Sequence, residues 1–290
     1  MEYRIENDQL VVKIKSKGAE LFSIEGTKTQ REYLWGADPA FWGKTSPVLF
    51  PIVGTLQEDT YYYNDKPYSL TRHGFARDEE FTVEEQDKTS ITFLLTSTSA
   101  SLAKYPFNFE LRIRYEVREQ FLYTTYTVDN TGKEEMYFSL GAHPAFKVPI
   151  TDSLSYNDYF LEFSKKEDAD RWPINKDGLI EEDSKPMLDD TIRLPLTHEL
   201  FYNEALVFKD LNSDVISLRS AKDPHGFDFH FKGFPFMGIW AAKNADFVCI
   251  EPWCGIGDSV DHNQQLIDKE GIEQLEPGDS WVEGWKVKFY

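Results

Sequence analysis

The sequence predicts an all-β protein, one large antiparallel β-sandwich across residues 1–290 with a few short helices. Three observations carry that expectation. Apolar and polar residues alternate with period 2 in segment after segment, the mark of half-buried strands. No stretch sustains a 3.6-residue apolar period over three or more turns, which argues against Rossmann folds and TIM barrels, where a helix follows nearly every strand. No Gly/Ser/Pro-rich linker divides the chain, so a single domain is expected.

In chain order, the first strand candidate is Val11 to Lys15. Asp38-Pro39-Ala40-Phe41-Trp42 then predicts a short helix, with Asp at an N-cap position and Pro at the first helical position. Ile91 to Leu95 is a further strand. Ser99 to Tyr105 is a second short helix, stopped before Pro106 because the residue preceding a proline is pushed out of the helical region. Phe109 to Arg118 alternates without a fault and, after Glu119-Gln120, Phe121 to Val128 returns as the other arm of a hairpin. Ala205 to Phe208, Val215 to Arg219 and Gly226 to Phe231 follow. The last segment, Trp281 to Tyr290, places Trp281, Glu283, Trp285, Val287 and Phe289 on one side. Turn chemistry separates these runs at Asn64-Asp65, Asn130-Thr131-Gly132, Lys176-Asp177-Gly178 and Pro277-Gly278-Asp279.

Charge excludes several functional classes. Among 290 residues, 31 Lys+Arg face 50 Asp+Glu, for a formal net charge of −19. A polyanion without a basic cluster is repelled by nucleic-acid phosphates and anionic membrane surfaces, so no nucleic-acid or membrane partner is expected. The longest apolar runs, such as Phe234 to Ala242, fall far short of the ~20 residues needed to span a bilayer. The polar start Met1-Glu2-Tyr3-Arg4 lacks a signal-peptide core. With only two cysteines in addition, a cytoplasmic, reduced protein is expected. Cys249 and Cys254 are not spaced for zinc and read as free thiols, one in a strand and one in the following loop. The acidic clusters Asp78-Glu79-Glu80 and Glu181-Glu182-Asp183 read as solvated turns. The stretch Asp258 to Asp268 lacks the glycine of a calcium loop, so no metal is expected there. Phosphate-binding loops, the dinucleotide fingerprint, the zincin motif and the nucleophile elbow are absent. The 22 Phe, 15 Tyr and 7 Trp suit strands, and aromatic faces also suit the C–H surface of a sugar ring.

Three segments can carry chemistry. In Arg72-His73-Gly74-Phe75-Ala76-Arg77-Asp78, a histidine beside a glycine, with Arg77 four residues on, suits a corner that a ligand approaches closely. In Leu140-Gly141-Ala142-His143-Pro144, a histidine stands at the end of the apolar run Met136 to Leu140, and its imidazole can act as acid or base near neutrality. In Phe247-Val248-Cys249-Ile250-Glu251-Pro252-Trp253, alternation puts Phe247, Cys249 and Glu251 on one face. A carboxylate ending so apolar a strand is costly unless paired or functional, and burial makes it a better base. Two histidines and one glutamate, with no metal motif, point to acid/base work on a neutral polar ligand.

At these segments the sequence resembles the aldose 1-epimerase (galactose mutarotase) family, and within it the LacX-type mutarotase-related proteins. The resemblance runs through nearly the whole chain: Lys17-Gly18-Ala19-Glu20-Leu21, Tyr33-Leu34-Trp35, Ser46 to Gly54, the His73 segment, Gly141-Ala142-His143-Pro144, Leu200-Phe201 with Glu204-Ala205-Leu206, and Ile250-Glu251-Pro252-Trp253. It implies a β-supersandwich with its site in a concave cleft, a small-molecule sugar substrate and no cofactor. By the resemblance, Glu251 is the base that takes the C1 hydroxyl proton, and His143 is the acid that protonates the ring oxygen. His73 is then the second histidine that binds a sugar oxygen. The sequence departs from the family at two positions. Thr55 stands where relatives carry a sugar-contacting Arg, with Arg77 as the candidate replacement, and Glu204 stands where relatives use an Asp to bind sugar hydroxyls. A non-catalytic sugar-binding module, a hexose-6-phosphate mutarotase and a glycoside hydrolase using Glu204 as a second carboxyl remain rivals at this point.

Overall fold

A computed structural model describes residues 1–290. Period-2 sequence becomes sheet throughout: there are 22 strands, and the helical content is one four-residue α-helix and five single 3₁₀ turns. A nine-stranded antiparallel sheet forms one layer. From edge to edge it runs Lys185–Pro195, Tyr159–Arg171, Val215–Ser220, Phe227–His230, Ser280–Phe289, Phe121–Asn130, Phe109–Arg118, Ser90–Thr96 and Thr82–Gln86. Phe109–Arg118 has the bounds its alternation predicts, and its odd-numbered residues are all buried. The hairpin is paired in register, Arg118 opposite Phe121 and Leu111 opposite Val128.

A six-stranded sheet carries the site. Its order is Leu206–Lys209, Phe236–Trp240, Phe247–Cys254, Leu140–Ala142 and Val48–Leu49, with Ala145–Lys147 also paired to Phe247–Cys254. Phe247–Cys254 is buried at all eight positions. That is why it reads as a near-continuous apolar run: both of its faces are covered. One face meets a continuous apolar core that reaches from Ile5 to Phe289. Leu49, Val53, Ile180, Val207, Phe236, Trp253 and Ile256 form a smaller cluster of their own. A three-stranded sheet, Glu2–Glu6, Leu10–Lys15 and Leu21–Gly26, a small hairpin of Thr60–Tyr63 and Lys66–Ser69, and a two-stranded pairing of Met136–Phe138 with Glu273–Leu275 complete the fold. No helix is long and apolar enough to cross a membrane.

Three local expectations are corrected. Asp38 to Trp42 makes a single turn rather than a helix. Asp38 caps it through Oδ1 to the Ala40 N–H at 2.9 Å, and its carbonyl accepts from Phe41 and Trp42 at 3.0 and 2.9 Å. One turn is the unfavourable nucleus of a helix, and nothing after it propagates. The apolar run Met136 to Leu140 is two strands, Met136–Phe138 and Leu140–Ala142, because the Ser139 N–H leaves to bond the Pro51 carbonyl. Cys254 lies within the same strand as Cys249 rather than in the loop beyond; both are free thiols. The predicted helix at Ser99 forms over Ser99–Leu102, held by a Thr98–Ser101 capping box.

Candidate active site

A cleft of about 450 Å³ opens over the six-stranded sheet, and all five sequence-predicted site residues line it: His73, Arg77, His143, Glu204 and Glu251. They come from segments almost 180 residues apart, and sheet pairing explains the convergence. Gly141 pairs with Trp253 and Leu49, so the end of Leu140–Ala142 lies beside Phe247–Cys254. His143 follows directly, in the loop before Ala145–Lys147.

His143 Nε2 stands 3.3 Å from Glu251 Oε2, and the two side chains are only 10% and 3% exposed. Aromatic rings hold the imidazole. Trp42 stacks on it at 5.0 Å and 26°, and Trp240 meets it edge-on at 5.7 Å. Burial disfavours charge on both partners. It pushes the Glu251 carboxyl up to about 8, against the opposing pull of the nearby Arg72 cation. It pushes His143 down to about 3, with Arg72 and Arg77 adding to the effect. Near neutrality the pair therefore holds one proton between two groups. His143 Nδ1 and Trp253 Nε1 are buried without a hydrogen-bond partner, both in residues that line the cleft.

His73 is placed by its backbone. It has φ +67° and is followed by Gly74 at φ +68°, a left-handed pair at the predicted corner. Only glycine fits at 74: a β-carbon there would lie 2.3 Å from the Phe50 carbonyl oxygen. The bend lets His73 clasp Gly54, its N–H donating to the Gly54 carbonyl at 2.8 Å and its Nδ1 accepting from the Gly54 N–H at 3.1 Å. Accepting at Nδ1 leaves the proton of the neutral ring on Nε2. Burial, reinforced by His143 and the two arginines, holds His73 well below the usual imidazole range. The two imidazoles meet edge to face at 5.8 Å. His-Gly-Phe also occurs at 225–227, but that copy has no such place: His225 lies against Asp223, with Nδ1 2.6 Å from Oδ1.

Glu204 lines the cleft, but its carboxylate is committed. It pairs with Arg171 and accepts the Ile174 N–H at 2.6 Å. It anchors the segment that forms one wall and is no free second carboxyl. Arg77 also lines the cleft, but one guanidinium nitrogen donates to the Arg72 carbonyl at 2.7 Å while Nε stands 3.7 Å from Asp78. Thr55 does not line the cleft. It is covered by Gly178, where a β-carbon would sit 2.6 Å from Thr55 Oγ1.

Sequence reasoning missed Lys176, Trp42 and Asn175 among the lining residues. Lys176 is an exposed cation with no ion pair in the structure, and so is Arg72 beside His73. Trp42 reads in sequence as part of a short helix, whereas its turn delivers the ring that covers His143. Asn175 caps the turn predicted at Lys176-Asp177-Gly178. Its Oδ1 accepts from Asp177 and Leu179 at 2.9 and 3.0 Å, so a turn that was legible in sequence is also a cleft wall.

An all-β chain with a cleft over one sheet and a buried His143–Glu251 pair at its base has the form of a galactose mutarotase-like supersandwich. Comparison with known proteins agrees. The family model of aldose 1-epimerase matches residues 1–271, and the chain belongs to that family. It is 36% identical to the chromosomal protein LacX of Lactococcus lactis over an alignment of 296 residues covering 99% of each chain. Among solved structures, a galactose mutarotase related enzyme from Lactobacillus acidophilus superposes with a TM-score of 0.94 at 35% identity, covering 100% of this chain and 97% of the other. A galactose mutarotase-like protein from Lactobacillus casei gives a TM-score of 0.94 at 29% identity over the full length of both.

Proposed function

We propose that the chain is a cytoplasmic, cofactor-independent isomerase that interconverts the α and β anomers of an aldohexose. The observation that carries this reading is the buried His143–Glu251 pair at 3.3 Å with one proton to share. Mutarotation needs that stoichiometry. In ring opening, carboxylate Glu251 takes the C1 hydroxyl proton while protonated His143 gives its proton to the ring oxygen, and the C1–O5 bond breaks. The open-chain aldehyde then faces a protonated Glu251 and a neutral His143. After rotation about C1–C2, reclosure runs the two transfers backwards and restores the starting pair. Two protons move in each direction, one at each residue, while the pair keeps a count of one, and no electrons leave the sugar. Burial favours the doubly neutral arrangement in the empty cleft, so hydrogen bonds from the bound sugar must drive the pair to carboxylate and imidazolium. His73, its Nε2–H free of the Gly54 clasp, is placed to steady a sugar oxygen.

Polarimetry of fresh α-D-glucose or α-D-galactose tests this. The chain should speed the approach to rotational equilibrium, and Glu251→Gln and His143→Asn should each lose about 10²–10⁴-fold. If both folded variants keep the parent rate, the pair is not the acid and base. Calorimetric sugar binding without any acceleration would favour a non-catalytic carbohydrate-binding module instead.

A second reading, a hexose 6-phosphate as substrate, has its own observation. The charged lining comprises Arg72, Arg77, Lys176, Glu204 and Glu251. Glu204 is neutralised by Arg171 and Glu251 is largely protonated, so the cleft presents unpaired cations inside a chain of net charge −19. Comparing kcat/KM for a hexose and its 6-phosphate separates the two.

A further inference from the structure

The donor atoms of His143, Cys249 and Glu251 all lie within 4.8 Å of one another, and all three residues are buried. Cys249 precedes Glu251 by two positions in an extended strand, so both side chains leave the same face. His143 reaches that face from the neighbouring loop. The thiol has no part in the proton transfers described above, yet it completes a set of one imidazole, one thiol and one carboxyl. Zinc prefers such N, S and O donors, and three protein ligands with one side open is a coordination set that zinc occupies. Around one zinc ion such donors stand roughly 3.3–3.8 Å apart, given bonds of about 2.0–2.3 Å. A modest swing of the thiol brings the three into that range. Hard cations such as magnesium are disfavoured by the thiolate and imidazole. His143 presents Nε2 to Glu251 at 3.3 Å, so two of the three donors already stand at a separation that one ion can span.

We propose that His143, Cys249 and Glu251 form a binding site for a thiophilic divalent cation of the zinc class, and that occupancy switches the acid/base pair off. The ion enters through the cleft, which His143 and Glu251 line, and draws Cys249 in behind them. On binding, the thiol proton and the proton shared by His143 and Glu251 leave to the buffer, and no oxidation is involved. Coordination draws charge from the Glu251 carboxylate and makes it a poor base toward the C1 hydroxyl, and the coordinated nitrogen of His143 carries no proton for the ring oxygen. Inhibition follows from occupancy and rests on the function proposed above; the binding itself does not.

Calorimetric titration of the full chain with Zn²⁺ should show tight binding of one ion, with net proton release in weak buffer. Co²⁺ in its place should give a thiolate-to-metal charge-transfer band in the near ultraviolet. Cys249→Ser should keep the mutarotation rate, lose at least about tenfold in Zn²⁺ affinity and lose the cobalt band. In the unmodified chain Zn²⁺ should abolish mutarotation and a chelator should restore it, whereas Mg²⁺ should do neither. Equal Zn²⁺ affinity in Cys249→Ser, or a cobalt complex of the unmodified chain without the band, overturns the site. The band needs no variant, so it decides the matter even if Cys249→Ser does not fold. A chain that binds Zn²⁺ through Cys249 but never accelerates mutarotation would sink the proposed function and leave the metal site standing.

Discussion

His143 Nε2 and Glu251 Oε2 face each other at 3.3 Å in a space where neither side chain is more than a tenth exposed. This closeness makes the two groups one titrating unit with a defined working range. Burial raises Glu251 to about 8 and lowers His143 to about 3, so the one-proton form spans the interval between. Above it, the pair becomes a carboxylate and a neutral imidazole, with no acid left to protonate the ring oxygen. We expect kcat/KM for mutarotation to be level through neutrality and to fall on the alkaline side with a midpoint near pH 8. A profile still level well above that pH would show that Glu251 is not the titrating group.

Arg72 tunes that midpoint. Its cation favours the Glu251 carboxylate and so opposes the effect of burial. Removing it in Arg72→Ala leaves burial unopposed, raises the Glu251 pKa further and should move the alkaline limb to higher pH. The same variant should weaken a 6-phosphorylated hexose much more than the neutral hexose if that is the substrate, read as the ratio of kcat/KM values. An unmoved limb would place the guanidinium too far from Glu251 to matter.

Gly178 sits over Thr55 with φ +84°, and an added β-carbon would meet Thr55 Oγ1 at 2.6 Å. Gly178→Ala adds about 1–2 kcal/mol of left-handed strain to that contact and should push the Asn175 turn into the cleft. KM is expected to rise while kcat changes little, because the turn lies away from His143 and Glu251 in the chain and contributes only wall. Adding Thr55→Ala removes the contact and should recover part of the loss. A purely additive double mutant would show that the two side chains do not collide.

Asp258 and Lys269 form an almost fully buried ion pair, with Nζ 2.7 Å from Oδ1. The Lys269 ammonium also donates to the Ile256 carbonyl at 2.6 Å, and Asp258 Oδ2 accepts the Gln57 N–H at 2.9 Å. The Asp258 backbone bonds both Thr55 and Ile180, so this pair ties together the chain behind the cleft. Lys269→Met leaves a carboxylate buried without its cation and should cost about 3–5 kcal/mol, measured by urea unfolding. Replacing both residues by apolar ones of similar size should restore much of that stability. A single-variant loss below 1 kcal/mol or so would mean that water reaches Asp258.

Much of the architecture was legible because strand periodicity is a local signal. Phe109 to Arg118 and Phe121 onward can bury one face only by alternating, so their bounds and pairing follow from the residues themselves. The same logic made Glu251 conspicuous, since a carboxyl within an eight-residue buried strand demands an explanation. Local signal fails where a partner distant in sequence competes for the backbone. Met136 to Leu140 reads as one strand until the Pro51 carbonyl takes the Ser139 N–H. Asp38 to Trp42 has the beginning of a helix, but the Trp42 ring is used against His143 and its carbonyl is taken by the Trp35 indole at 2.8 Å.

The sequence by itself determined the all-β class, the polar and apolar faces, the family and five of the residues that line the cleft. The first two rest on side-chain alternation, the family and the five residues on short motifs and their order along the chain. Only the tertiary structure decided what those residues are free to do. Glu204 and Arg77 are held by Arg171 and by the Arg72 carbonyl, whereas Arg72 and Lys176 are left unpaired. His143, Cys249 and Glu251 share one buried corner. Burial and pairing are properties of distances between segments, and those distances set the proton count, the charge of the cleft and the free valences that chemistry requires.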